Sequence, residues 1–167
     1  MLRPLFLALT ALLFAAPAAQ ACTDQPLSKP FTPWLDYAPY QAAPEEWALD
    51  GAAFAPGGQP WGGGSTSISI PAGASAVTDP VCITLVHPTL RFFARGTLGT
   101  LAVSVIALDG ALEVPVGVVL GTGAWSPSPV LPIVLNLLGE QDVRLKFTSV
   151  LGSFRIDDVW IDPYSKG

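Results

Sequence analysis

The chain has 167 residues, 50% of them hydrophobic and only 13% charged, with a formal net charge of −5. An acidic, sparsely charged chain lacks the basic surface that phosphate neutralisation needs, which excludes nucleic acid as a partner. Its length fits one domain after a short leader.

That leader is legible at the start. Arg3 gives a positive n-region, "LFLALTALLFAAPAA" an apolar h-region, and "AQA" (Ala19-Gln20-Ala21) a small-x-small cleavage site before Cys22. Residues 1–21 are predicted to be a signal peptide, which makes the mature protein secreted and extracellular. The h-region is short of the ~20 apolar residues that span a bilayer, and the best later run, "VLPIVLNLL", carries Pro132 and Asn136, so no transmembrane segment is expected. Two cysteines, Cys22 and Cys82, in an oxidising compartment predict one disulfide between them. The other reading is lipidation of Cys22 as the first mature residue, although Ala19 stands where a bulky apolar residue is usual.

Residues 22–45 form the next segment. It holds Pro26, Pro30, Pro33, Pro39 and Pro44 and shows no alternation, which predicts an extended strap rather than sheet interior. Phe31, Trp34, Tyr37 and Tyr40 recur in it and would lay it against the domain. From residue 46 to 163, short alternating runs separated by Gly, Pro and Asp turns predict a single β-sandwich. "TSISI" (66–70) buries Ile68 and Ile70. "TLRFFAR" (89–95) points Leu90, Phe92 and Ala94 inward and Arg91, Phe93 and Arg95 outward. "LAVSVIAL" (101–108) buries Leu101, Val103 and Val105. "VRLKFT" (143–148) sends Val143, Leu145 and Phe147 inward and Arg144 and Lys146 outward. Alternation with one wet face is the pattern of antiparallel sheets, so the fold class is all-β, an antiparallel sandwich. One helical turn is expected in "PIVLNLL" (132–138), Trp47 and Trp125 are expected in the core, and residues 164–167 are a tail.

The last strand, "FRIDDVWID" (154–162), changes phase. Phe154 and Ile156 share a face, but Val159 and Ile161 are out of step with them. A period of two slips by one residue only where an extra residue is bulged out, which predicts a β-bulge at Asp157-Asp158. With that bulge, Trp160 points outward.

The succession "EEWALDG", "GGGSTSISIP", "TLRFFARG" with "LAVSVIALDG", then Trp125 and "RIDDVWIDP", resembles the galactose-binding-like jelly rolls, the β-sandwich of many carbohydrate-binding modules. "PVCITLVHPTLRFFAR", "IDDVWIDPY" and "FTPWLDYAPY" resemble more closely a family of exported, functionally uncharacterised actinobacterial proteins, which brings no activity with it. The jelly-roll resemblance implies a structural calcium between the first strand and the closing "IDDV". Asp157 or Asp158 would supply one ligand and Glu45 or Glu46 another, since calcium takes several oxygens. The Asn-x-x-Phe-Glu entry usual in such modules is missing from this chain. Without a metal, the Asp pair would make salt bridges or turn hydrogen bonds, with Arg155 as one partner.

Catalysis finds little support. His87 is the only histidine and precedes Pro88, the position of a structural His rather than a base. Zinc, phosphate-loop and nucleophile-elbow patterns are missing, and neither Glu45-Glu46 nor Asp157-Asp158 alone guarantees the facing carboxyls of a glycosidase, which leaves only a cross-pair open. Binding has more residues behind it. Arg91, Phe93, Arg95 and Trp160 share the outward phase, and Trp61 beside Gly62-Gly63-Gly64 forms a candidate loop rim. Flat aromatics stack on sugar rings and Arg forks pair with anions. The same outward residues could instead lie beneath the strap with Phe31 and Trp34. The expected function is a secreted non-catalytic binding module for cell-wall or environmental polysaccharide. The alternative is a structural or adhesive extracellular protein that meets a protein partner through the apolar "PSPVLPIVLNLL". Oligomeric state is left open.

Overall fold

The strands form two antiparallel sheets packed face to face. The computed structural model describes residues 26–62, 64–84, 87, 89–133 and 140–162. In chain order the strands are β1 (Leu27–Ser28), β2 (Tyr40–Ala42), β3 (Trp47–Asp50), β4 (Ala53–Pro56), β5 (Thr66–Ile70), β6 (Ser75–Thr78) and β7 (Val81–Ile83). They continue as β8 (Thr89–Gly96), β9 (Thr100–Ala107), β10 (Leu112–Leu120), β11 (Ser126–Pro127), β12 (Leu131–Pro132), β13 (Gln141–Leu151) and β14 (Phe154–Asp162). No helix among the described residues is long and apolar enough to cross a membrane. The all-β antiparallel sandwich predicted from alternation is the observed architecture.

The first sheet has eight strands and is organised around β14. β8 runs along one side of it, from Phe154 opposite Gly96 to Asp162 opposite Thr89. On the other side the partner changes. β5 pairs with Phe154–Ile156 and β2 with Trp160–Ile161. β4 and β1 lie outside β5 and β2, and β11 and β12 flank the far side of β8. The second sheet runs β10-β9-β13-β6-β3, with β7 beside the start of β13.

The inward phases read from sequence are the core. Ile68, Ile70, Leu90, Phe92, Leu101, Val103, Val105, Val143, Leu145 and Phe147 are all buried. Phe92 and Phe147 join the two sheets edge to face, ring centroids 4.9 Å apart. The expected bulge is present. Asp157 faces Phe93 and Trp160 faces Arg91, so β14 spends one residue more than β8, and Val159 and Ile161 are buried beside Phe154 and Ile156. Asp158 takes φ 44°, the left-handed conformation that Asp tolerates better than most side chains.

A second, smaller core lies on the outer face of the first sheet. Phe31, Tyr40 and Phe93 are buried there, with Trp34, Trp125 and Trp160 packed against them. The N-terminal strap does more than lie on the domain, because its Pro-free piece Tyr40–Ala42 pairs with β14 and carries β1 on its other edge. The expected signal peptide, Cys22, residues 134–138 of the expected helical turn and the tail lie outside the described residues. Pro132, the first residue of that turn, belongs instead to strand β12. Cys82 sits in β7, and its predicted bond to Cys22 stands as an expectation.

Candidate functional site

Where β5 gives way to β2 along β14, the first sheet is split, and the bulge lies at the split. A cleft of about 400 Å³ opens there. Ala43, Pro44 and Glu45, following β2, form one wall, and Phe54 with the Gly64–Ile68 segment forms the other. Ile156–Trp160 of the bulge and Trp47 of the opposite sheet complete the lining. The cleft thus combines three aromatic side chains (Trp47, Phe54, Trp160) with three carboxylates (Glu45, Asp157, Asp158). Trp47 packs against core Phe147 at 5.7 Å yet is only half-buried, whereas Phe54 on β4 is 59% exposed. The indole N–H of Trp160 is buried without a hydrogen-bond partner.

The paired aspartates anchor the Gly-rich loop. The Gln59 N–H donates to Asp157 Oδ2 at 2.7 Å, and Gln59 Nε2 donates to Asp158 Oδ2 at 2.6 Å. The Trp61 N–H donates to Gln59 Oε1 at 2.6 Å, and the Asp158 N–H donates to Asp157 Oδ1 at 3.0 Å. Gln59 is buried despite being polar, because each of these groups finds a partner. The glycines around it have a steric reason. A Cβ on Gly58 would strike Asp157 and the Gly64 carbonyl, and one on Gly62 would strike Gln59 and Asp158. Burial pushes the Asp157 carboxyl up from its ordinary value, and the charges of Asp158 and Glu45 push the same way, against the N–H bonds it accepts. Arg155 does not pair with these aspartates. Its guanidinium donates to Ser67 Oγ and to the carbonyls of Ala55, Pro56 and Gly57.

This arrangement does not fit the calcium site that the jelly-roll resemblance implied. Among the described residues, no group of three or more His, Cys, Asp or Glu side chains is placed to hold a metal ion. Three of the four aspartate oxygens already accept N–H donors. Glu45 lines the cleft, whereas Glu46 is not among its lining residues, and its carbonyl accepts the Asp79 N–H. Thorough treatment with EDTA is therefore expected to leave the thermal midpoint unchanged. A fall of several degrees on chelation, reversed by added calcium, would reinstate the metal.

The predicted ligand face divides in two. Arg91 and Phe93 do point away from the main core, but the strap covers them. Arg91 Nη1 meets Asp36 Oδ2 at 2.5 Å, its Nε and Nη2 donate to the Ser128 carbonyl, and its guanidinium lies 4.3 Å from the Phe31 ring centre. Phe93 packs under Phe31, Trp34 and Trp61, at 5.1, 5.5 and 5.5 Å between ring centres. Neither presents a surface to a ligand, and the reason is the second aromatic layer above them. Arg95 is exposed and donates to the Gly123 carbonyl at 3.2 Å. Trp61 remains 49% exposed, with one edge on Trp34 at 4.7 Å. Trp160 lines the cleft. Phe54, Gln59 and Trp47 are the members of this region that sequence reasoning did not assign to it. The lone large side chain in "GAAFAPG" and the single buried amide among glycines were the available signals.

His87 is buried and structural. Its Nδ1 accepts the Thr84 N–H at 2.9 Å, and burial lowers its pKa.

No family model matches the sequence, and no curated protein matches it. Solved structures do match. A variant of a family 29 carbohydrate-binding module aligns with a TM-score of 0.55 at 11% identity, over 75% of this chain and 92% of that one. The C-terminal family 6 module of LamC, a marine laminarinase from Zobellia galactanivorans, aligns at 0.52 and 12%, over 72% and 96%. A family 29 variant complexed with mannohexaose aligns at 0.55 and 14%, over 77% and 93%. The chain therefore has a β-sandwich of the kind seen in carbohydrate-binding modules. At these identities the likeness is one of fold.

Proposed function

We propose that the chain is a non-catalytic, extracellular polysaccharide-binding module that takes a sugar chain in the cleft between β2 and β5. The cleft's composition carries this reading. Trp47, Phe54 and Trp160 offer ring faces or edges to the apolar side of a sugar, and carboxylates and hydroxyls on the same walls accept from or donate to its hydroxyls. Half-exposed Trp61 stands on the Gly-rich loop that the cleft's aspartates anchor. The fold shared with carbohydrate-binding modules supports the reading, and the N-terminal leader pattern supports export. In the same reading Cys22 and Cys82 form a disulfide in the exported protein. Non-reducing peptide mapping should recover the linked peptides, and free thiols or a lipidated Cys22 would reject the bond.

Retention of the purified protein on insoluble polysaccharides tests the function. Phe54→Ala should weaken retention by about tenfold while leaving the melting temperature nearly unchanged, because Phe54 is exposed on an edge strand. Wild-type protein that binds no polysaccharide, or a Phe54→Ala variant that binds as well as wild type, would reject the site.

One observation favours the structural or adhesive reading. Leu98, Leu120, Val150 and Leu151 are all more than half exposed. They sit near the end where the β8–β9 and β13–β14 turns meet through Thr97 and Ser153, and where Gly121, just past β10, donates to the Gly99 carbonyl. The patch expected at "PSPVLPIVLNLL" is different, since Leu131 and Ile133 are buried and residues 134–138 lie outside the described residues. Leu98→Ser with Leu151→Ser should leave glycan retention intact if the cleft is the working site.

A further inference from the structure

The charges in the cleft name a narrower ligand class. Glu45, Asp157 and Asp158 line it, and among the described residues no Lys, Arg or His does. Arg155, two residues before Asp157, is turned away into the carbonyls of Ala55, Pro56 and Gly57. The upward displacement of the Asp157 carboxyl agrees with this, since its neighbours Asp158 and Glu45 add to it and no cation offsets them. Three carboxylates beside three aromatic rings, with no basic side chain among the described lining, attract a cation with two kinds of contact. Glu45 and Asp158 Oδ1 are the oxygens to which no described N–H donates. An ammonium group is drawn to the carboxylates and also to ring faces. A glycan bearing carboxylates or sulfates would meet like charge, and a neutral one would gain only hydrogen bonds and stacking.

We propose that the cleft selects a protonated amine carried on a sugar ring, so that the ligand is an amino-sugar polysaccharide of the free-glucosamine type. The inference rests on the polysaccharide reading above and adds the chemistry of its substituent. Sugar hydroxyls and the apolar ring face fit the hydroxyl and aromatic walls, and the ammonium fills the position that these walls leave negative. N-acetylation removes the charge and with it the preference.

The test is calorimetric titration of the full chain with three hexasaccharides of the same β linkage, built from glucosamine, N-acetylglucosamine or glucose. The glucosamine chain should bind about tenfold tighter than the glucose chain, the scale expected of partly screened cation–carboxylate and cation–π contacts. At about 1 M salt, where screening acts within roughly 3 Å, the advantage should shrink to near nothing. Glu45→Gln with Asp158→Asn should bring the glucosamine-to-glucose affinity ratio to near one, a ratio taken within the variant so that any shared loss of sugar binding cancels. Asp109→Asn with Glu140→Gln removes the same charge from exposed positions outside the cleft lining and should change nothing. Equal binding of the glucosamine and glucose chains would overturn the amine inference and leave the polysaccharide reading standing. Loss of the advantage in the Asp109/Glu140 variant would overturn it as general attraction to an acidic protein. Binding of none of the three would remove both readings.

Discussion

Arg91→Ala is expected to lower the unfolding free energy by about 3 kcal/mol, the cost of leaving one partner of a mostly buried ion pair alone. Asp36 Oδ2 accepts from both Arg91 Nη1 and the Tyr40 hydroxyl, and its Oδ1 accepts the Ala38 N–H. Burial of Asp36 would raise its pKa, but the hydrogen bonds from Tyr40 and Arg91 outweigh that and hold the carboxyl below its ordinary value. Burial, then the bond to Asp36, pushes the Tyr40 phenol well up, so it stays protonated as a donor. Truncating Arg91 also leaves the buried Ser128 segment without its two carbonyl bonds and uncovers the Phe31 ring. Urea unfolding measures the loss, and hydrogen exchange should locate it in residues 31–42.

The pH dependence has a definite sign. A carboxyl whose folded pKa lies below its unfolded value stabilises fully above the unfolded pKa, and that contribution is lost as pH falls through the folded one. The gap between wild type and Arg91→Ala should therefore narrow in acid. Asp157 works in the opposite direction. Its folded pKa is raised by burial first and by Asp158 and Glu45 next, so its ionisation costs stability at neutral pH, and the cost is relieved as pH falls through the folded value. A loss on Arg91→Ala below about 1 kcal/mol, the scale of a solvent-exposed pair, would mean that the strap is not held by this contact.

Phe93→Ala is expected to cost about 3–5 kcal/mol, as for other large-to-small changes at buried aromatics. The ring is 1% exposed and is the shared floor beneath Phe31, Trp34 and Trp61. Its removal should loosen the strap and the Gly-rich loop together, seen as a change in tryptophan fluorescence and a lower urea midpoint. If Phe93 were instead a ligand contact on an open face, the variant would keep its stability and lose only binding.

Phe93 also shows where the sequence stops being legible. Its outward phase on β8 was readable from "TLRFFAR", as were the inward phases of β5, β8, β9, β13 and β14. Buried Ala76, Val81, Ile83 and Val119 lie in short or irregular strands that gave no such reading. The phase of a side chain does not say whether water or a second layer lies above it. That layer comes from Phe31, Trp34 and Tyr40 of the strap and from Trp61 of a separate loop. The bulge was legible because Ile156 and Val159 cannot both face inward on an unbroken strand. The partner of its carboxylates was not, since Gln59 lies 98 residues from Asp157 and is an unremarkable residue type. The cleft follows from a change of strand partner, β5 to β2, which depends on long-range pairing and leaves no local pattern.

The central claim is that the split beside the bulge binds a sugar chain, and indole N–H resonances test it most directly. The chain carries five tryptophans, at 34, 47, 61, 125 and 160. Titrating nitrogen-labelled protein with the glucosamine and glucose hexasaccharides should shift the signals of Trp47 and Trp160, which line the cleft, and leave Trp125, which packs near Arg155 on the outer face, in place. Saturating shifts confined to Trp125, or no indole shift with either sugar at millimolar concentration, would contradict the account.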